Sequence, residues 1–173
     1  MEIFKFSKKG DEGKTSLLSG ARVSKASLRP ETYGTLDEAS SAMGLAKVFT
    51  RNRTIQNMIE TLQQDLWVLG AQLSADSPET AQCHSIGTEP TARLESWIEE
   101  LQKEAPLPKR FILPGGNPAS AAIDLARTII RRAERRAISM KEAGELDCPE
   151  VHAYLNRLAD FLFTLARFAE IKG

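Results

Sequence analysis

The sequence predicts an all-α protein, a five-helix antiparallel bundle with an N-terminal loop-rich arm, and three observations lead there. Beyond Pro30, apolar residues recur at steps of three and four through most of the chain. Prolines and polar clusters cut that pattern into separate stretches. No strand-like segments alternate with the helical ones to build a parallel sheet. With 173 residues, a single domain spanning 1–173 is expected, residues 1–29 forming the arm. A chain of this size buries roughly 70% of its unfolded surface and needs neither disulfides nor a structural metal to hold a core.

In the arm, Ile3, Phe4 and Phe6 can start a short strand, and Gly10, Gly13 and Gly20 then break regular structure. The first helix runs from Pro30 with Tyr33, Leu36, Ala39, Met43 and Ala46 on one stripe. The second carries Ile55, Met58, Ile59, Leu62, Leu66, Leu69 and Leu73, and the Ser/Asp/Pro cluster from Ser74 to Pro78 stops it. Residues 77–89 are polar and irregular. A shorter third helix follows, with Pro90 near its start and Leu94, Trp97, Ile98 and Leu101 on its stripe, until Pro106 and Pro108 end it. The connector Phe111-Ile-Leu-Pro-Gly-Gly-Asn117 is rich in turn residues, and Asn117-Pro118 supplies an N-cap acceptor and a preset φ for the first helical position. Helix four then extends to about Met140 with Ile123, Ala126, Ile130, Ala133 and Ala137 buried. After Gly144, Asp147 and Pro149, helix five presents Val151, Leu155, Leu158, Leu162 and Leu165, widened by Tyr154, Phe161 and Phe168.

Composition narrows the function. Twenty-three Lys and Arg balance 23 Asp and Glu, so the net positive field that phosphate-backbone binding requires is missing and a nucleic-acid binder is not expected. Cys83 and Cys148 are isolated, as in a cytoplasmic protein with reduced thiols. No apolar run is long enough for a signal peptide or a membrane span, so no membrane partner is expected. Metal chemistry fares poorly: a di-iron bundle needs Glu-x-x-His pairs on facing helices, whereas His84 sits in a loop and Glu150 precedes His152 at the wrong spacing.

Two segments can carry chemistry. Gly10-Asp-Glu-Gly-Lys-Thr15 ends like a Walker A loop, but the pattern requires glycine five positions before Gly13, where the chain has Lys8. Glycines, the hydroxyls of Thr15 and Ser16, and Lys8, Lys9, Lys14 and Lys25 can still wrap a polyphosphate with N–H groups and ammoniums, the alternative being a solvated surface loop. On helix four, Arg127, Arg131 and Glu134/Arg135 fall on successive turns of one face, while Arg132 and Arg136 point elsewhere on the wheel. The competing reading is a solvated face with intrahelical ion pairs, Asp124 lying three residues before Arg127. Asp37 and Glu38 border the first helix's stripe, where an arginine from a neighbouring helix would satisfy a carboxylate. Asn156, Arg157 and Asp160 interrupt the apolar fifth helix, positioned for structural hydrogen bonds or a ligand.

Together these pieces resemble the PduO-type ATP:cob(I)alamin adenosyltransferases over almost the whole chain. The matching segments, in order, are GDEGKTSL from Gly10, Val23-Ser24-Lys25, RPETYGTLDE from Arg29, FILPGG from Phe111, ARTIIRRAERR from Ala126 and YLNRLADFLFTLAR from Tyr154. The resemblance implies a five-helix bundle assembled as a homotrimer, with ATP held between the arm of one protomer and the helix-four arginines of the next. Ser7, Lys8, Lys9, Gly10, Thr15, Ser16 and Lys25 match the phosphate-binding arm; Arg131, Arg132, Glu134, Arg135 and Asn156 match the rest of the ATP shell. Asp37 and Arg127 match an intersubunit ion pair that shapes the catalytic site, and Phe111 matches the aromatic that closes the corrinoid pocket against the lower axial ligand.

The implied reaction transfers the 5′-deoxyadenosyl group of ATP to cob(I)alamin and releases triphosphate, with Mg²⁺ on the phosphates. A flavin-type reductase and a B12-dependent acceptor enzyme are the implied partners. A non-catalytic corrinoid or nucleotide carrier on the same bundle is the alternative. Lys9, Ser40 and Asp124 depart from residues usual in the family, Thr, Asn and His respectively. Of these, Asp124 is expected to compete with Asp37 for the Arg127 guanidinium.

Overall fold

The computed structural model describes residues 8–77, 80 and 85–173. A 3-10 turn (Lys8–Gly10) and a two-stranded antiparallel ribbon, β1 (Lys14–Ser16) and β2 (Arg22–Ser24), precede the long helices. These are α1 (Leu28–Val48), α2 (Arg53–Ser74), α3 (Glu89–Glu104), α4 (Pro118–Glu142) and α5 (Pro149–Lys172). The all-α bundle read from the apolar spacing is therefore the fold. Ile3, Phe4, Phe6, Ser7, Cys83 and His84 lie outside the described residues.

Helix ends follow the local chemistry. Asn117 Oδ1 accepts from Ser120 N at 2.8 Å while Ser120 Oγ accepts from Asn117 N at 3.0 Å, a reciprocal cap with Pro118 at the first helical position. Asn52 caps α2 through Thr54 N at 2.9 Å and Ile55 N at 3.3 Å, and its Nδ2 reaches Lys172 O at the end of α5. Helix α1 begins at Leu28, two residues before Pro30, because proline is tolerated anywhere in a first turn that lacks intrahelical N–H partners. Arg29 Nη1 satisfies the terminal carbonyls of α2, Leu73 O at 3.0 Å and Ala75 O at 2.5 Å.

The core sits between α1, α2, α4 and α5, with α3 laid against α5. Ile123, Ala126, Ile130, Ala133 and Ala137 are fully buried, so the small stripe of α4 lets its backbone approach α1 and α5 closely. A polar tie joins three helices: Tyr154 Oη on α5 donates to Asp65 Oδ2 on α2 at 2.9 Å, and Arg93 on α3 binds the same oxygen at 2.5 Å. The Arg93 guanidinium also lies 5.4 Å from the centre of the Trp97 ring.

The ribbon in the arm is absent from the sequence expectation. Three-residue strands give too short an alternation to read, yet Thr15 pairs with Val23, and the turn closes through Leu17 N on Ala21 O at 2.9 Å. Gly20, at φ +89, supplies the left-handed turn residue. Leu18 N bonds Ser74 O at 3.1 Å and Ser19 Oγ donates to Asp76 Oδ2 at 2.7 Å, which docks the arm on the end of α2.

Tyr154→Phe is expected to cost about 1–2 kcal/mol in chemical denaturation, since Asp65 keeps Arg93 but loses one donor. Burial, reinforced by the neighbouring Asp65 carboxylate, holds the Tyr154 phenol well above its ordinary pKa. The protonated phenol is thus favoured by folding: its stabilisation is complete below about pH 10, where unfolded tyrosine ionises, and is lost as pH rises beyond it. Denaturation of both proteins at neutral and alkaline pH checks this, the variant lacking that share of the alkaline loss.

Candidate functional site

The helical period divides the arginines of α4 between two sides. Arg127 and Arg131 line a groove of about 400 Å³ together with Gln102 of α3 and Arg157, Asp160 and Phe163 of α5. Arg132 and Arg136 turn to α1 instead, where Arg132 pairs with Glu38, and Arg136 pairs with Glu31 at 2.6 Å and donates to Glu31 O at 2.9 Å. Glu38 thus receives its arginine from a neighbouring helix as expected. Arg132, expected in a ligand shell, has its guanidinium engaged by that carboxylate.

Behind Arg127 lies a buried ionic cluster. Asp124 is 2% exposed, and its Oδ1 accepts from Arg127 Nε at 3.0 Å while its Oδ2 accepts from Arg167 Nη2. Arg167, 4% exposed, also pairs with Glu170 at 3.0 Å. The Phe163 ring is flanked by both guanidiniums, 6.0 Å from Arg127 and 5.5 Å from Arg167. Asp124 therefore occupies Nε of Arg127 and leaves its two Nη groups without a hydrogen bond among the described residues. Asp124, expected to compete with Asp37, thus contacts one edge of the guanidinium.

Glu170 extends this network to the connector before α4. A Cβ on Gly116 would lie 2.6 Å from Glu170 Oε1 and 2.7 Å from Cδ, so only glycine admits the carboxylate here. Asn117 Nδ2 donates to Ala169 O at 2.7 Å alongside. Phe111, at the start of the connector, is 89% exposed. Its ring fills no internal space in the chain.

Asp37 lies elsewhere, in a groove of about 560 Å³ between α1, α2 and β1, with Ser16, Tyr33, Ser40, Gln63 and Trp67. Gln63 Nε2 donates to Ser40 O at 3.0 Å. Asp37 and Arg127, paired by the sequence resemblance, therefore sit in separate grooves of the chain. Glu134 and Asn156 are brought together, Asn156 Nδ2 donating to Glu134 Oε1 at 3.2 Å. Arg135 Nη1 donates to Arg131 O at 3.0 Å, and Arg131's own guanidinium has no partner among the described residues.

In the arm, Lys8, Lys9 and Gly10 form the 3-10 turn, and Lys25 Nζ lies 3.1 Å from where a Gly10 Cβ would be. Gly13, at φ +75, passes its carbonyl to Lys25 N at 2.9 Å. Arg22 holds these pieces together: it donates to Lys9 O at 2.5 Å, Lys14 O at 3.2 Å and Ser16 Oγ at 3.2 Å. Sequence reasoning passed over Arg22, as it did Arg167 and Phe163, since a lone arginine in a loop or an apolar stripe carries no spacing signal. Among the described residues, no group of three or more His, Cys, Asp or Glu is placed to hold a metal, and no helix is long and apolar enough to cross a membrane.

The sequence model of the family described as cobalamin adenosyltransferase matches residues 5–169. A corrinoid adenosyltransferase of Citrobacter freundii is 37% identical over 166 residues, covering 95% of this chain and 94% of its own. One from Bacillus subtilis is 37% identical over 172 residues, covering 97% and 87%. Among solved structures, a variant PduO-type ATP:corrinoid adenosyltransferase from Lactobacillus reuteri, complexed with cobalamin and ATP, superposes with a TM-score of 0.88 at 32% identity, covering 96% of this chain and 90% of that one.

Gly116→Ala is expected to displace the Glu170 side chain, break its contact with Arg167, and cost about 1–3 kcal/mol of stability. In a Glu170→Ala background the same change meets open space and should cost well under half as much. Thermal denaturation of the two single variants and the double measures this non-additivity.

Proposed function

The chain belongs to the cobalamin adenosyltransferase family, and we propose that it works at a site completed by a second copy of itself. The reaction is ATP-dependent adenosylation of cobalamin, with ATP and the corrinoid as substrates. The observation that carries the shared site is that Asp37 and Arg127 occupy separate grooves, one faced by the arm and one by α3, α4 and α5. Docking the first groove of one protomer on the second groove of another brings Asp37, whose carboxylate has no partner among the described residues, to the open Nη edge of Arg127. Because the two surfaces differ, the contact is head-to-tail, and the family resemblance implies that three copies close it into a homotrimer.

At that junction the arm contributes Ser7, Lys8, Lys9, Gly10, Thr15, Ser16 and Lys25 to the ATP phosphates, with residues 1–29 serving as the nucleotide-binding appendage of a single bundle domain. Arg131 and Arg135, with the Glu134–Asn156 pair, approach from α4 and α5 of the neighbour. Arg132 acts on this shell indirectly, through its anchor on Glu38. Cobalt in the Co(I) state donates an electron pair to ribose C5′; the Co–C bond forms, the C5′–O bond breaks, and triphosphate leaves with the pair. The nucleophile is the metal of the substrate itself, so the protein's task is to orient C5′ and stabilise charge gathering on the leaving group. Mg²⁺ entering with the nucleotide would add positive charge at the phosphates beside the arm lysines; among the described residues no carboxylate or histidine cluster is placed to hold it by itself.

Phe111, exposed at the connector, supplies an apolar wall against the corrinoid's lower face, excluding water and the lower ligand so that cobalt is reduced as a four-coordinate centre. A flavin-type reductase delivers that electron, and a B12-dependent acceptor enzyme receives the product. The isolated cysteines, read as reduced thiols, support a cytoplasmic setting for this chemistry.

The direct test is spectroscopic appearance of adenosylcobalamin from ATP and chemically reduced cobalamin, with one triphosphate released per cofactor formed. Absence of product from folded protein overturns the reading. Arg131→Ala is expected to lower kcat/KM for ATP by roughly ten- to a hundredfold with the assembly intact, the loss of one charge-assisted phosphate contact. Phe111→Ala should slow adenosylation started from Co(II) and recover part of the rate with pre-reduced Co(I). Because the ring is 89% exposed, its melting temperature should fall far less than for a core Phe→Ala change.

A further inference from the structure

We propose that Asp124 is a positioning residue for Arg127: its carboxylate, fixed from behind by the buried Arg167, sets the direction in which the Arg127 guanidinium enters the groove between α3, α4 and α5. The proposal rests on the reading that the Asp37–Arg127 pair completes the site between protomers, and adds to it that this pair acts on the corrinoid and not on the ATP phosphates; it goes beyond that reading in naming what holds Arg127.

Three observations carry it. Asp124 is 2% exposed yet accepts from two arginines, one through each oxygen, so its orientation is determined on both sides. Its contact with Arg127 is made at Nε, the nitrogen nearest the side-chain stem, which fixes the guanidinium plane and leaves both Nη groups for an external acceptor. Phe163 lies against both guanidiniums, so the ring and the cation share one support. Beyond Arg167 the chain of contacts continues through Glu170 to the face of Gly116, in the connector that bears Phe111. Two cations and two carboxylates balance in this ladder, so the charge needed to orient Arg127 is buried without a surplus.

A purely structural ion pair makes a different prediction from a positioning one. A structural pair matters for stability alone, and restoring neutrality restores everything. A positioning carboxylate matters for Arg127 even when stability is restored. Wild type, Asp124→Asn, Arg167→Gln and the double variant separate the two, each measured for melting temperature, KM for ATP, KM for cob(I)alamin and the NMR exchange rate of the Arg127 Nε–H.

The positioning role predicts that Asp124→Asn raises the corrinoid KM about tenfold with ATP KM within about threefold, the loss of one charge-assisted orienting contact. Arg167→Gln, which keeps the Asp124–Arg127 contact, should lower the melting temperature with a smaller change in corrinoid KM. The double variant, neutral again and able to pair amide with amide, should regain melting temperature but not corrinoid KM. Wild-type corrinoid KM in the folded double variant overturns the proposal. So does an Arg127 Nε–H that exchanges as fast in wild type as in Asp124→Asn, a readout that needs no turnover. If wild type forms no adenosylcobalamin while its Nε–H is protected in an Asp124-dependent way, the reaction assignment fails and the positioning role stands.

Discussion

The close approach of α4 to its neighbours through Ala126, Ala133 and Ala137 is the constraint from which the placement of the charged groups follows. Methyl-sized side chains set how near the helix axes lie, and a helix held that closely cannot rotate without burying a charge. At 100° per residue, Arg127 and Arg131 must then share one side and Arg132 and Arg136 another. The first pair meets α5 and α3 and lines a groove. The second meets α1 and is consumed by Glu38 and Glu31. One sequence motif thus divides into a ligand-facing half and a fold-holding half, and the alanines between them make the division.

The ionic ladder behind Arg127 follows from the same packing. Burying Asp124 and Arg167 between α4 and α5 has a large desolvation cost, which each offsets for the other; removing one partner of such a pair typically costs about 3–5 kcal/mol. A hydrophobic pair would hold the helices as well. The ionic pair adds direction, because a carboxylate with both oxygens engaged presents Arg127 Nε with a fixed acceptor. Glu170 then carries the network to Gly116, so the connector bearing Phe111 and the helix bearing Arg127 are braced by one set of charges.

Much of the fold was legible in the sequence because helical period and helix caps are local signals. The stripes of α2 and α4 and the Asn117 cap are found where spacing puts them. The arm's ribbon was not legible, since its pairing of Thr15 with Val23 depends on a turn and on docking against α2, neither of which leaves a periodic mark. For the site, the motif segments singled out Arg127, Arg131, Glu134 and Asn156 one by one, and the structure joins the last two by a hydrogen bond. Arg167 was invisible because a cation inside the apolar run of α5 signals nothing until its partner, 43 residues earlier, is seen beside it. Asp124 read as a competitor for Arg127; three-dimensional placement shows that it takes only the Nε edge. Arg22 is a similar case, its three acceptors being scattered through the arm.

The central claim is that the working site draws Asp37 from one protomer and Arg127 from another. Co-expressing Asp37→Ala and Arg127→Ala chains under separate tags, and assaying assemblies that carry both, measures this directly. Each variant alone is impaired at every site. In a trimer that carries both variants, about one interface in three joins an intact Asp37 to an intact Arg127, so adenosylcobalamin formation should rise well above either variant alone, toward about a third of the wild-type rate. Mixed assemblies that remain as impaired as the single variants would contradict the shared site.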